Sequence, residues 1–319
     1  MSLIRNQSRI FAALATALML TACGDDDDDN PTPRPDAGTG MDAGTDAGTS
    51  ADAGTDGGST PVMVGEVIAL TASNKLVSFE RATPGTLVGS VDVTGLDSGE
   101  SLLGIDYRPA DSQLYGLTSA GRIVTLAPDT GVATVKSTLV AMAGDDNPFT
   151  ALSGTDFAVD FNPVADRLRV VSDTGQNLRI NVDSGATTTD GAINRSPAPV
   201  VFGAAYTNSV MGTTATALFD LERNSNVLAR QDPPNNGTLV NVGALGVTFV
   251  GAAGFDIAGG DNGLPLVAGR TANSGPHVLY QVNLLTGAAT FFPRTATTAE
   301  MASIGGASGP ELCDIAIVY

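Results

Sequence analysis

Residues 104–134, GIDYRPADSQLYGLTSAGRIVTLAPDTGVAT, lie over residues 158–188, AVDFNPVADRLRVVSDTGQNLRINVDSGATT, at a constant shift of 54 with no gap. The shift superposes Asp106 on Asp160, Pro109 on Pro163, Leu114 on Leu168, Gly121 on Gly175 and Gly131 on Gly185. Each copy reads strand, Pro-containing turn, strand, Gly turn, strand, Asp-x-Gly turn, strand. Apolar residues alternate with polar ones within the runs, as in Leu168, Val170 and Leu178, Ile180, which is the two-residue period of half-buried strands. Self-similarity at a fixed period confines the chain to architectures built by stacking one small unit.

Further copies are partial. GAAYTN (203–208) and GFDIAG (254–259) repeat the first strand, and YQVNLLTGAAT (280–290) repeats VTLAPDTGVAT (124–134). Residues 66–94 supply three strand-like runs without a first strand, and the C-terminal LCDIAIVY supplies one. The two incomplete ends complement each other. Units of four strands with little helical signal predict an all-β, five-bladed β-propeller over residues 62–319, closed by the C-terminal strand. Closure leaves only short, protected sheet edges. A β-sandwich would not generate a gapless self-match of this length. On this reading the polar stretch 154–185 is one blade, and its Arg and Asp side chains are expected on turns and outer strands, in screened ion pairs of little individual value.

The runs LVSFERATPGTL, GIDYRP with LYGL, DFNPVADRLRVVSDTGQNLRINVDSG, AAYTNS, QDPPNNGTLVNVGALGV and GFDI resemble the bacterial domain of unknown function family 4394, over essentially all of residues 66–319. The resemblance implies a secreted or surface protein with a propeller-like repeat. It brings no established activity and no functional residues.

The chain begins MSLIRNQSRIFAALATALMLTAC. Arg5 and Arg9 precede an apolar run from Ile10 to Leu20, which has the length of a signal-peptide core and falls short of the roughly 20 residues a membrane span needs. Leu20-Thr21-Ala22-Cys23 resembles the lipobox of bacterial lipoproteins, which implies a signal peptide over 1–22 and lipid on Cys23. Two or three acyl chains anchor stably. Residues 23–61 repeat Asp-Ala-Gly-Thr from positions 36, 42, 46 and 52 without hydrophobic periodicity. Such a segment buries too little to offset its ordering entropy and is expected to be a disordered tether. Gly24 follows the cysteine, so the expected address is the outer membrane of a Gram-negative cell.

Of the formal net charge of −18, about −11 falls on residues 62–319, and no basic stripe offsets it. A surface this acidic repels phosphate backbones, so nucleic acid is excluded as a partner. Lipidation of Cys23 would leave Cys313 without a disulfide partner, and its apolar setting suggests a small buried hydrophobe. The single histidine, His277, is too little imidazole for a zinc site or a triad and is expected in a loop. No cofactor or metal motif is present, and a monomer is expected.

Carboxylates are the remaining chemistry. Asp106, Asp160, Asp256 and Asp314 occupy matching first-strand positions, with Ala205 in the remaining blade. Three roles fit them: structural acids bonded to main-chain donors at blade turns, a cation site on the axis, or an acid–base pair for glycan or lactone hydrolysis. Recurrence in repeat after repeat favours the structural role, because catalytic groups need dissimilar environments. Ligand contact is expected instead where the repeat is broken: Asp145, Asp146 and Asn147 in the loop AMAGDDNPFTALSGTD, and Tyr206 and Asn208 in blade four. The reading is a tethered propeller that binds an envelope protein or small ligand, with a hydrolase as the alternative.

Overall fold

The computed structural model describes residues 60–260 and 263–318. The expected signal peptide, Cys23 and the tether as far as residue 59 lie outside the described residues. Within them the chain forms five antiparallel blades around an axis. Blade one is Leu312–Ile317, Val67–Thr71, Lys75–Phe79 and Leu87–Asp92, so the C-terminal strand is its innermost member and closes the ring. The innermost strands of blades two to five are Leu102–Arg108, Phe157–Asn162, Val201–Tyr206 and Val250–Ile257. Helix among the described residues is limited to three short 3-10 turns.

The repeat sets the turns. Gly131 and Gly185 carry φ of 76° and 75°, and a Cβ on either would lie 2.1 Å or less from a main-chain oxygen of the preceding blade. Glycine is therefore required at both Asp-x-Gly turns. Blade three departs from the pattern. A fifth strand, Val140–Ala141, runs parallel to its outermost strand Ala186–Thr189 and ties down part of the long loop between blades two and three.

The core lies between blades. Ile105, Leu114 and Val124 of blade two pack on Ile68, Leu70 and Leu76 of blade one. Tyr115 and Leu117 meet Phe161 and Leu168 of blade three. Phe202 and Leu221 of blade four meet Phe255, Val267 and Tyr280 of blade five. The junction of blades three and four differs, with two small apolar clusters flanking a polar network. Val62 donates its amide to the Asp129 carbonyl at 2.9 Å, so the described chain enters at the end of the ring where the innermost strands finish. The other end carries the long connections between blades.

Candidate functional site

An innermost strand is paired on one side only, so every second amide on its free edge faces the axis. The four aspartates take up these amides. Asp106 accepts from its own neighbour Tyr107 at 2.7 Å and from Phe161 of blade three at 2.6 Å. Asp160 accepts from Tyr206 of blade four at 2.9 Å, and Asp256 from Ile317 of blade one at 2.6 Å. Asp314 accepts from Ile315 and, across to blade two, from Ile105, both at 2.9 Å. The donors are thus free-edge strand amides and not the turn amides the sequence suggested. Four of the five junctions are joined this way; Ala205 stands at the junction of blades four and five.

The bonding register corrects one alignment. Asp106, Asp160 and Asp256 reach the amides of residues 161, 206 and 317. The equivalent of Asp106 in blade one is therefore Ala316, and Asp314 lies two residues earlier, level with Gly104, Ala158, Gly203 and Gly254. Its carboxylate fills space at Gly104, where an added Cβ would sit 2.9 Å from Asp314 Oδ2 and 2.5 Å from Val159 Cγ2. Asp106, Asp160 and Asp256 converge, each offering one carboxylate oxygen within 4.8 Å of the others. That trio has the geometry to hold a cation. All three are buried, and burial pushes Asp106 and Asp160 well above the usual carboxylate range, reinforced by neighbouring acids. Asp256 is raised to about 6 by burial, with the amides of Ile317 and Ile257 opposing. Carboxylates this close and this dry retain protons.

Above these layers one residue from each innermost strand lines the axial mouth: Leu103, Phe157, Phe202, Ala253 and Cys313. The cavity there is small, about 80 Å³. Asp156 and Arg223 face each other at its edge at 3.6 Å, with the guanidinium 4.9 Å from the Phe202 ring centre. Cys313 is half-buried at this mouth, not sealed in the core, and burial raises its thiol to about 11.

Between blades three and four, Arg169 is 1% exposed. It donates to Tyr206 Oη at 3.2 Å, Asn177 Oδ1 at 2.7 Å, Asp190 Oδ2 at 2.6 Å and Asn235 Oδ1 at 2.8 Å. The expectation of screened pairs on turns therefore fails for this residue: it ties two blades together in a dry interface. Asp220 and Gln231 lie on the same junction, both buried, and neither Asp220 oxygen nor Gln231 Oε1 has a hydrogen-bond partner. Burial raises the Asp220 carboxyl to about 8, against the charge of Arg169.

The expected ligand residues are not brought together. Tyr206 is buried on Arg169, so its ring is withdrawn from solvent. Asp145 accepts amides of Asn147 and Thr189 and caps the edge of blade three, while Asp146 and Asn147 stand exposed beside it. Asn208 takes a left-handed conformation and donates to the Ala215 carbonyl at 2.9 Å. His277 lies in the loop before Val278–Val282, as expected, but it is fully buried there: it accepts the Leu312 amide through Nδ1 and bonds the Ala252 carbonyl through Nε2, both at 3.3 Å.

A cleft of about 690 Å³ lies on the flank of blade five. Phe291, Val247 and Ala296 give it apolar walls, and Gln281, Asn283, Thr290, Thr297 and Arg294 give it a polar rim. Its volume is that of a small-molecule site. No acid, histidine or cysteine lines it, so it offers recognition without an acid–base pair. Residues 292–311, which form one wall, break the repeat as clearly as the loops singled out from the sequence; that irregularity was the available signal.

The family model described as Domain of unknown function (DUF4394) matches residues 75–305. No protein of curated function matches the sequence. Among solved structures, the chain is similar to a structural genomics protein of unknown function from Bacteroides thetaiotaomicron, at 15% identity and a TM-score of 0.44, covering 81% of this chain and 64% of that one. It is also similar to the Dos1 propeller, at 10% identity and a TM-score of 0.37, covering 73% and 61%. The chain thus spans less than two thirds of the length of either. The propeller assignment rests on the strand order and register of the chain itself.

Proposed function

The chain belongs to that family, and on this premise we propose that it is a binding module: a rigid five-bladed ring, tethered through lipid on Cys23 to the outer membrane of a Gram-negative cell, that captures an envelope ligand in the cleft on blade five. The observation that carries the reading is a contrast. The carboxyls spaced closely enough for chemistry, Asp106, Asp160 and Asp256, are turned into main-chain amides and closed off from solvent. The open cleft holds apolar walls and hydrogen-bonding side chains instead. This supports recognition over hydrolysis.

The test compares the full chain with Thr290→Trp, which fills the cleft from its rim. Both are recovered from cells, and co-purifying small molecules and proteins are identified by mass spectrometry. A species retained by the unaltered chain and lost from Thr290→Trp supports the cleft; identical retention sinks it. Cys23→Ser tests the anchor separately, and an acyl group that persists in that variant rules the anchor out.

A further inference from the structure

Arg294 stands apart from the other cations of this acidic protein. Of the described Lys and Arg side chains, all but Arg167 and Arg294 have a carboxylate partner. Arg167 is turned onto the carbonyls of Ala165 and Asp166. Arg294 makes one weak contact, Nε to Gln281 Oε1 at 3.3 Å, and lines the blade-five cleft. In a chain with 34 acids against 16 Lys and Arg, an exposed guanidinium without a carboxylate partner is available to an anion. Its planar fork fits two oxygens at once.

The rest of the lining narrows the class. Phe291 is half-buried, lines the cleft and packs against the Tyr280 ring at 5.3 Å between centroids. The rim side chains are amides and hydroxyls. Asn283 Oδ1 takes the amides of Leu285 and Thr286 and Gln281 Oε1 takes Arg294, which leaves their NH2 groups to donate. Thr297 donates to Met301 Sδ and can still accept, and the Thr290 hydroxyl can donate and accept. Rows of such groups match the hydroxyls of a sugar ring, which also donate and accept. An aromatic face matches the C–H face of that ring, and a guanidinium matches a carboxylate upon it. We propose that the cleft binds a saccharide bearing a carboxylate, of the uronic-acid type, with the carboxylate on Arg294 and the ring on Phe291. The inference rests on the cleft being the binding site. It adds the charge and class of what the cleft takes.

The experiment is calorimetry of the purified full chain with a galacturonic acid trimer, a galactose trimer and a triglutamate peptide. The acidic sugar is expected to bind about tenfold more tightly than the neutral one, the gain of one charge-assisted contact. Arg294→Gln should reduce the acidic sugar to the level of the neutral one, and Thr290→Trp should weaken both. Equal binding of the two sugars, or no effect of Arg294→Gln, overturns the inference and leaves the cleft intact. Binding of triglutamate alone overturns the saccharide class. Binding of the acidic sugar that Thr290→Trp leaves unchanged places the site elsewhere, and then the cleft reading falls as well. If no sugar binds, the inference is wrong.

Discussion

The carboxylate of Asp314 accepts the main-chain amide of Ile105 at 2.9 Å, across the seam where the C-terminal strand meets blade two. The two residues are 209 positions apart. This bond and the pairing of Leu312–Ile317 with Val67–Thr71 close the ring. Leu312, Ile315, Ala316 and Ile317 are each no more than 1% exposed, so the strand is packed on both faces.

Removal of residues 311–319 is therefore expected to expose the edge of a fully buried strand and to cost the folded monomer. Size-exclusion chromatography and a melting scan check this; a monomer with unchanged melting would show that closure is dispensable. The milder Asp314→Ala leaves the Ile105 and Ile315 amides without their acceptor. It should cost about 1–3 kcal/mol per orphaned group, read as several degrees of melting temperature at about 2–4 °C per kcal/mol.

The buried guanidinium makes a sharper prediction. Arg169→Ala strands the buried Asn177 Oδ1 and Tyr206 Oη in a dry junction and leaves Asp190 with Arg179 alone, and should destabilise by about 3–5 kcal/mol. Arg179 bonds the same Asp190 but is 34% exposed at its side chain, and its removal should cost about 1 kcal/mol or less. Urea midpoints of the two variants decide the matter, and equal losses would mean that burial does not set the value of these contacts.

How much of this was legible follows from what each feature depends on. Strand order and ring closure were readable because the repeat has a fixed period and its two incomplete ends complement each other. The register of Asp314 was not, because LCDIAI looks like GFDIAG while the pairing across the seam places Ala316 level with Asp256. Arg169 sits between Leu168 and Val170, an alternation that signals a solvent-facing position in an isolated sheet; in a propeller that face meets the next blade. Its partners Asn177, Asp190 and Asn235 come from three separate segments, which no local pattern connects. The blade-five cleft combines the last two strands of that blade with a loop that breaks the repeat, and only the fold brings these together.

Asp220 should make the protein sensitive to alkali. Burial lifts its carboxyl from 3.8 to about 8, so the folded chain holds a proton that the unfolded chain has released. Its contribution is full below 3.8, falls as the pH rises towards 8, and then levels off. Asp220→Asn should flatten the stability profile between pH 6 and 8 by about one proton, or about 1.4 kcal/mol per pH unit. Denaturant titrations at each pH measure the slope. An unchanged slope would mean that Asp220 is ionised in the folded chain.

The axial trio decides between a structural layer and a cation site. Raised carboxyls at Asp106, Asp160 and Asp256 mean that folding takes up protons between pH 3.8 and the folded values, about 6 for Asp256. Melting temperature should therefore rise as the pH falls from 7 towards 5. His277 opposes this, since its neutral form is favoured by burial and its contribution is lost as the pH falls below 6.5. One imidazole against three carboxyls leaves the net trend towards acid stability. Asp256→Asn should reduce that trend, because an amide does not titrate. On the structural reading calcium leaves the melting temperature unchanged, since Asp106 already holds an amide on each oxygen and Asp256 takes the Ile317 amide on Oδ2. A cation bound to the trio would instead add about 2.7 kcal/mol at a hundredfold excess over its dissociation constant. That gain would vanish in Asp256→Asn and survive in Asp314→Asn, because Asp314 lies in the next layer. A calcium-dependent rise with that pattern of loss would make the axis a metal site and set aside its purely structural role.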